Sequence, residues 1–169
     1  YTEILKRTGL DGILITSPEN TYYVSGYPAI MSAGNPILYA LKNVLPFFVF
    51  TDQMCEITFF CWGGAAMGIE FDAARVITFG DKETAFKKLE EFFLDKQDAI
   101  HSIGIESSCP YNGTRLIEPL FPPASIRTAD EVLQKCRMIK SKTEIDHIRA
   151  STSVVEKTVS ELMDLIHPG

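Results

Sequence analysis

The side chains of this sequence best suited to hold a metal or attack a carbonyl are three histidines, His101, His147 and His167, and four cysteines, Cys55, Cys61, Cys109 and Cys136. A dinuclear hydrolase needs several carboxylates and a histidine converging on its ions, and no spacing here supplies that set. His147 stands beside Asp146 and near Glu144 in a helical stretch, where a solvated face is expected. His167 falls at a helix C-terminus, where a partly cationic ring meets the dipole favourably. Asp52, Glu56, Glu70 and Asp72 are not spaced to build a cage and read as surface charge. The cysteines are scattered, with no C-x-x-C pair and no histidine at zinc-ligand spacing, so they read as structural thiols. No metal site and no catalytic residue is therefore expected in this chain.

Nucleophilic and nucleotide chemistry fare no better. There is no G-x-S-x-G, and neither Ser107-Ser108 nor Cys109 has a base partner recognisable in sequence. The run "CWGGAAMG" lacks the Lys-Ser/Thr that would hold phosphate; Gly63-Gly64 instead frees the backbone for a turn beside Trp62. With 16 basic against 22 acidic residues and a formal charge of -6, the chain lacks the basic footprint of a nucleic-acid binder. Its longest apolar runs, such as 44–50, fall far short of the roughly 20 residues that span a bilayer, and no signal-like segment opens it. A soluble, cytoplasmic protein is the expectation, and 169 residues with 46% hydrophobic content suit one globular domain.

The elements that would position any site alternate between β-rich and helical patterns, an α/β signature. Residues 4–7 close an N-terminal helix, expected to continue upstream, with Gly9 as its cap; "GILIT" at 12–16 reads as a buried strand. Ser17-Pro18 starts a short helix that stops at Gly26. The segment "YPAIMSAGNP" at 27–36, with two prolines and a glycine, is either a functional loop or a plain connection. "PFFVFT" and "MCEITFF" flank Asp52-Gln53 as an antiparallel hairpin. "CWGGAAMGIE" reads as a loop or weak helix, and "RVITFG" as a strand from Arg75. "DKETAFKKLEEFFLDK" is an amphipathic helix capped by Asp81, with Ala85, Leu89 and Phe92 or Phe93 inward. A strand at 102–107, a short helix at 113–120, a strand at 124–128 and a helix at 129–136 follow. Ser141 and Glu144 then form a capping box that opens a long helix. Its apolar seam runs Ile145, Ile148, Val155, Val159, Leu162 and Ile166 at three-four spacing, over roughly 37 Å from residue 142 to 166 at about 1.5 Å per residue. Such a helix is expected to reach past its own domain and pack on something else.

Two stretches carry a resemblance. "GLDGILITSPENTYYVSGY" at 9–27 and "RMIKSKTEIDHIRAST" at 137–152 are similar to the N-terminal domain of the creatinase, prolidase and aminopeptidase P family. The second matches that family's junction sequence at Arg137, Ile139, Lys140, Ser141, Glu144, Ile145, Ile148, Arg149 and Ala150. The resemblance implies an α/β fold of ribonuclease-H-like layout, with a mixed sheet of about five or six strands flanked by helices. It also implies a division into an N-terminal domain at 1–136 and, at 137–169, the junction and first helix of a C-terminal pita-bread domain. In that family the C-terminal domain holds two divalent metal ions, of manganese or cobalt type.

The function so implied is a non-catalytic domain of a metal-dependent hydrolase, an Xaa-Pro dipeptidase or aminopeptidase. It would serve homodimerisation and shape the substrate entrance for a peptide or a small amide. In such dimers a loop of this domain approaches the partner's metal site; the matching segment here follows Ser25-Gly26, which singles out Tyr27 and Ile30. Unlike prolidase loops that carry histidine or arginine, 27–36 has no ionisable group except Tyr27, which favours apolar contacts or a different substrate. Trp62 is a further entrance candidate, with a core or rim position as its other reading. A second functional class stays open: the same architecture occurs as a protein-binding scaffold in a histone chaperone subunit.

Overall fold

The computed structural model describes residues 2–28, 47–63 and 70–166. The chain divides into two compact units, Tyr1–Gln134 and Lys135–Gly169.

In the first unit the described α-helices and strands are α1 (Thr2–Thr8), β1 (Gly12–Ile15), α2 (Pro18–Ser25), β2 (Phe47–Asp52), β3 (Ile57–Trp62), β4 (Arg75–Phe79), α3 (Lys82–Asp95), β5 (Ile103–Ile105), α4 (Tyr111–Ile117) and β6 (Ile126–Thr128), with short 3-10 turns at Glu118–Leu120 and Pro123–Ser125. Helix α5 (Asp130–Met138) follows, and the division between the units falls within it. The strands form a six-stranded mixed sheet in the order β4-β3-β2-β1-β5-β6. β2 runs antiparallel to both its neighbours, β1 and β3, whereas β1–β5, β5–β6 and β3–β4 are parallel pairs. An antiparallel triplet extended by parallel strands is the expected ribonuclease-H-like layout.

Because successive residues of a strand face opposite sides, each strand feeds two cores. Leu14, Phe48, Phe50, Phe60 and Phe79 pack with Ala85, Leu89, Phe92 and Phe93 of α3 and with Leu116 and Ile117 of α4. On the other face Ile13, Ile15, Val49, Phe59 and Cys61 meet Leu5 of α1 and Val132 and Leu133 of α5. The choice between Phe92 and Phe93 resolves into both. Phe92 sets its edge on Phe50 and Phe60, with centroids 5.4 and 5.3 Å apart, and Phe93 does the same with Phe50 and Phe121 at 5.3 and 4.9 Å.

The aromatic density of that core explains Gly12. A Cβ added there would lie 2.3 Å from Cζ of Phe50, and Phe50 is itself fully buried. Gly12→Ala is expected to cost about 1–3 kcal/mol, the usual penalty of overpacking, read as a lower midpoint in thermal or urea unfolding.

The hairpin departs from the expected Asp52-Gln53 turn. Strand β3 begins only at Ile57, because the Asp52 carboxylate accepts the amides of Met54 (2.9 Å) and Glu56 (3.1 Å), curling the chain into a wider turn. Cys55, at φ 62, takes the left-handed position in it. Asp52 is thus a buried turn former, 7% exposed, rather than surface charge, and Lys96 Nζ lies 3.5 Å from its second oxygen.

The second unit contains α6 (Lys142–Leu165). The expected capping box forms: Ser141 N donates to Glu144 at 2.7 Å and Glu144 N donates to Ser141 Oγ at 3.2 Å. The amide of Ser141 holds the Glu144 carboxyl below its ordinary value. A lowered folded-state pKa stabilises above the unfolded value and is lost as pH falls through the folded one. The protection of the first-turn amides of α6, measured against the intrinsic exchange rate at each pH, is therefore expected to fall on acidification below the ordinary carboxylate range, and Ser141→Ala to produce the same loss at neutral pH. Ile145, Ile148, Val155, Val159, Leu162 and Ile166 are all exposed along the helix.

Candidate functional site

The segment singled out by sequence begins at the end of α2. Ser17 caps that helix by accepting Asn20 N, Pro18 stands in its first turn, and Gly26 ends it at φ 71 with its amide on Tyr22 O at 2.8 Å. The next residue, Tyr27, turns inward rather than edging the surface. It is 1% exposed, with its ring 4.5 Å from Phe59 and 5.2 Å from Phe71, and these two rings lie 4.7 Å apart. Its own amide donates to Ser25 Oγ at 3.2 Å, and Ser25 O accepts the amide of Asp72 at 2.6 Å. Two segments 45 residues apart in sequence, around Tyr27 and Asp72, are thus pinned together by one aromatic cluster and one backbone bond.

Trp62 stays at the surface, 48% exposed, as the last residue of β3, and pairs in register with Phe79 of β4. Gly63 continues the pairing by donating to Phe79 O at 2.9 Å. Phe59 and Trp62 share strand β3 but, three residues apart, face opposite sides of the sheet, so the exposed tryptophan is not part of the Tyr27 cluster. Ile30 and the remainder of 29–36 lie outside the described residues, as do 64–69 and His167.

The residue that sequence reasoning passed over is Glu106. It follows β5, is 3% exposed, and its two oxygens are enclosed by donors from β1's end and α2's start. Oε2 accepts the amides of Thr16 and Ser17 (2.7 Å for the latter) and Thr16 Oγ1 at 3.2 Å; Oε1 accepts Ser17 Oγ at 2.6 Å and Asn20 Nδ2. A buried carboxylate is tolerated only when so compensated, and the positive end of the helix adds to it. The available signal was the acid directly after the apolar run "IGI", beside a parallel strand that ends in "TSP". Strand patterns register the apolar residues and give no warning of what a polar one beyond them will meet.

The remaining chemical candidates take structural places. Burial pushes the Cys109 thiol up, away from the thiolate a nucleophile needs. Cys61 is in the core and Cys55 exposed. The side chains of His101 and His147 are exposed. Among the described residues no three His, Cys, Asp or Glu are grouped to hold a metal, and no helix is long and apolar enough to cross a membrane.

The family model of the creatinase/prolidase N-terminal domain matches residues 2–139. The chain belongs to this family. It is 29% identical over 170 residues to an Xaa-Pro dipeptidase of Pyrococcus horikoshii, covering 99% of this chain and 41% of that protein. The fold is that of the prolidase of Pyrococcus horikoshii OT3, with a TM-score of 0.68 at 22% identity over 99% of this chain and 42% of that one. It is also that of the solved creatinase/prolidase N-terminal domain of an X-Pro dipeptidase from Streptococcus pyogenes, with a TM-score of 0.56 at 15% identity, covering 79% of this chain and 93% of that one. The chain therefore spans about two-fifths of the full-length relatives, while a domain of this family has been solved nearly alone.

Proposed function

We propose that this chain is the non-catalytic N-terminal domain of a metal-dependent Xaa-Pro peptidase, and that it serves homodimerisation and shapes the substrate entrance of the parent enzyme. The observation that carries this is the match across 99% of the chain to 41% of an Xaa-Pro dipeptidase. The described side chains do not fit the two divalent ions that the family resemblance implies, since none of them are grouped as a ligand set. The ions and the chemistry they supply are accordingly assigned to the pita-bread domain of the parent, of which α6 would be the first helix. Its exposed apolar seam, Ile145 to Ile166, has the character of a face awaiting cover.

This domain would then contribute shape. Trp62, half-exposed at the strand end, is the entrance residue that the described surface best supports, and an aromatic side chain there supplies contact area without a general acid or base. Trp62→Ala in the full-length parent is expected to raise KM for an Xaa-Pro peptide by an amount worth about 1–3 kcal/mol, with kcat at saturation and metal content unchanged. Loss of kcat or of metal would give Trp62 a role other than shape, and an unchanged KM would remove it from the entrance.

The decisive assay uses the purified parent protein with an Xaa-Pro dipeptide and added manganese or cobalt, with and without chelator, and light scattering for its oligomeric state. Metal-dependent hydrolysis by a dimer supports the reading. A parent that hydrolyses no Xaa-Pro peptide under these conditions would overturn it, and the protein-binding scaffold would become the better account.

A further inference from the structure

Open α/β sheets hold anionic ligands outside the carboxyl ends of their parallel strands, next to a helix N-terminus. In this chain the same place, between the ends of β1 and β5, is filled by the chain's own Glu106. The carboxylate binds strand β5 to the first turn of α2 across 89 residues of sequence. The far end of the same eight-residue helix is held by Ser25: its Oγ donates to Thr21 O (2.7 Å) and accepts the Tyr27 amide, and its carbonyl accepts the Asp72 amide. Thr21 and Ser25 are both 0% exposed, so α2 has little freedom to shift without moving what hangs from it.

We infer that Glu106 is the positioning residue of the entrance: by fixing the start of α2 it sets the place where the Tyr27 and Asp72 segments are pinned together. This rests on the proposal that the domain shapes the substrate entrance of the parent enzyme, for which the segment that starts at Tyr27 is the sequence candidate and the Asp72 segment is bonded to it. The carboxylate suits the task because it accepts at both oxygens. Glu106→Leu offers no acceptor to either side, whereas Glu106→Gln can keep an oxygen on Thr16 N and Ser17 N while its NH2 meets Ser17 Oγ and a turned Asn20 amide, both able to accept.

Hydrogen exchange on the 169-residue chain tests the coupling without any assay of activity. In Glu106→Leu the amides of Thr16 and Ser17 are expected to lose protection, and with them those of Gly26, Tyr27 and Asp72, by about tenfold or more, while α3 and the β2–β3 ladder keep theirs. Loss confined to residues 16–20 would make Glu106 a local cap and overturn the inference; so would loss spread evenly over the sheet. Should Glu106→Leu not fold, Asn20→Ala removes a single donor and is read at the same amides, with the same two overturning patterns. In the parent enzyme the matching signature is a KM for Xaa-Pro peptides raised about tenfold at unchanged kcat and metal content. A fall in kcat at unchanged KM overturns the inference. If the wild-type parent cleaves no such peptide, the peptidase reading fails instead, and the exchange pattern still decides whether Glu106 governs the Tyr27 and Asp72 segments.

Discussion

Replacing Tyr27 with alanine is expected to destabilise the domain by about 3–5 kcal/mol, the cost of deleting a large buried aromatic. Its ring fills the space between Phe59 and Phe71 and is 1% exposed, so the cavity left behind is walled by β3 and by the returning chain near Asp72. Tyr27→Phe keeps the ring and is expected to retain most of the stability. Urea unfolding of the three proteins measures both effects, with little change in m if unfolding stays two-state. A family-based transfer alone would assign Tyr27 to substrate contact and forecast a raised KM with normal stability. A Tyr27→Ala domain as stable as the wild type would contradict the burial of this ring between Phe59 and Phe71.

The second large effect separates the chain from the parent enzyme proposed for it. The 169-residue chain, purified alone, is expected to fold and yet leave an Xaa-Pro dipeptide intact in added manganese or cobalt, because its described residues bring no ligand set together. The parent is expected to hydrolyse that peptide and to stop when a chelator removes its ions. Folding of the chain alone is expected because the apolar residues of both sheet faces find cover within Tyr1–Gln134, and a Streptococcus pyogenes relative has been solved as little more than this domain. Hydrolysis above a metal-only blank, abolished by a point change in this chain, would sink the proposed division of labour between this domain and a C-terminal one.

Much of this fold was legible because its local signals agree with one another. Ser17-Pro18 and Gly26 bracket α2, Asp81 caps α3 by accepting Thr84 N at 2.7 Å, and Ser141 with Glu144 opens α6. Each depends on backbone donors that a helix start leaves unpaired, and those lie within a few residues of the side chain that satisfies them. The unbroken apolar run Ile13, Leu14 and Ile15 similarly declares a strand buried on both faces.

Partners distant along the chain were decided only by the tertiary structure. Asp52 reads as a surface carboxylate until the hairpin folds its oxygen onto the amides of Met54 and Glu56 and the second strand starts at Ile57. Tyr27, next to a glycine and a proline, has the composition of a loop; only the arrival of Phe59 and Phe71 makes its position a core. Glu106 shows in sequence only as an acid directly after an apolar run, because the donors that justify burying it come from Thr16, Ser17 and Asn20, brought alongside by the parallel pairing of β1 with β5. By itself, then, the sequence determined most of the elements and their caps, since those follow from apolar periodicity and short-range hydrogen bonding, and the motifs at 9–27 and 137–152 carried the family resemblance. Which polar groups are buried, and which aromatic ring faces solvent, depended on strand order and register, where the free energy of a side chain is set by neighbours tens of residues away.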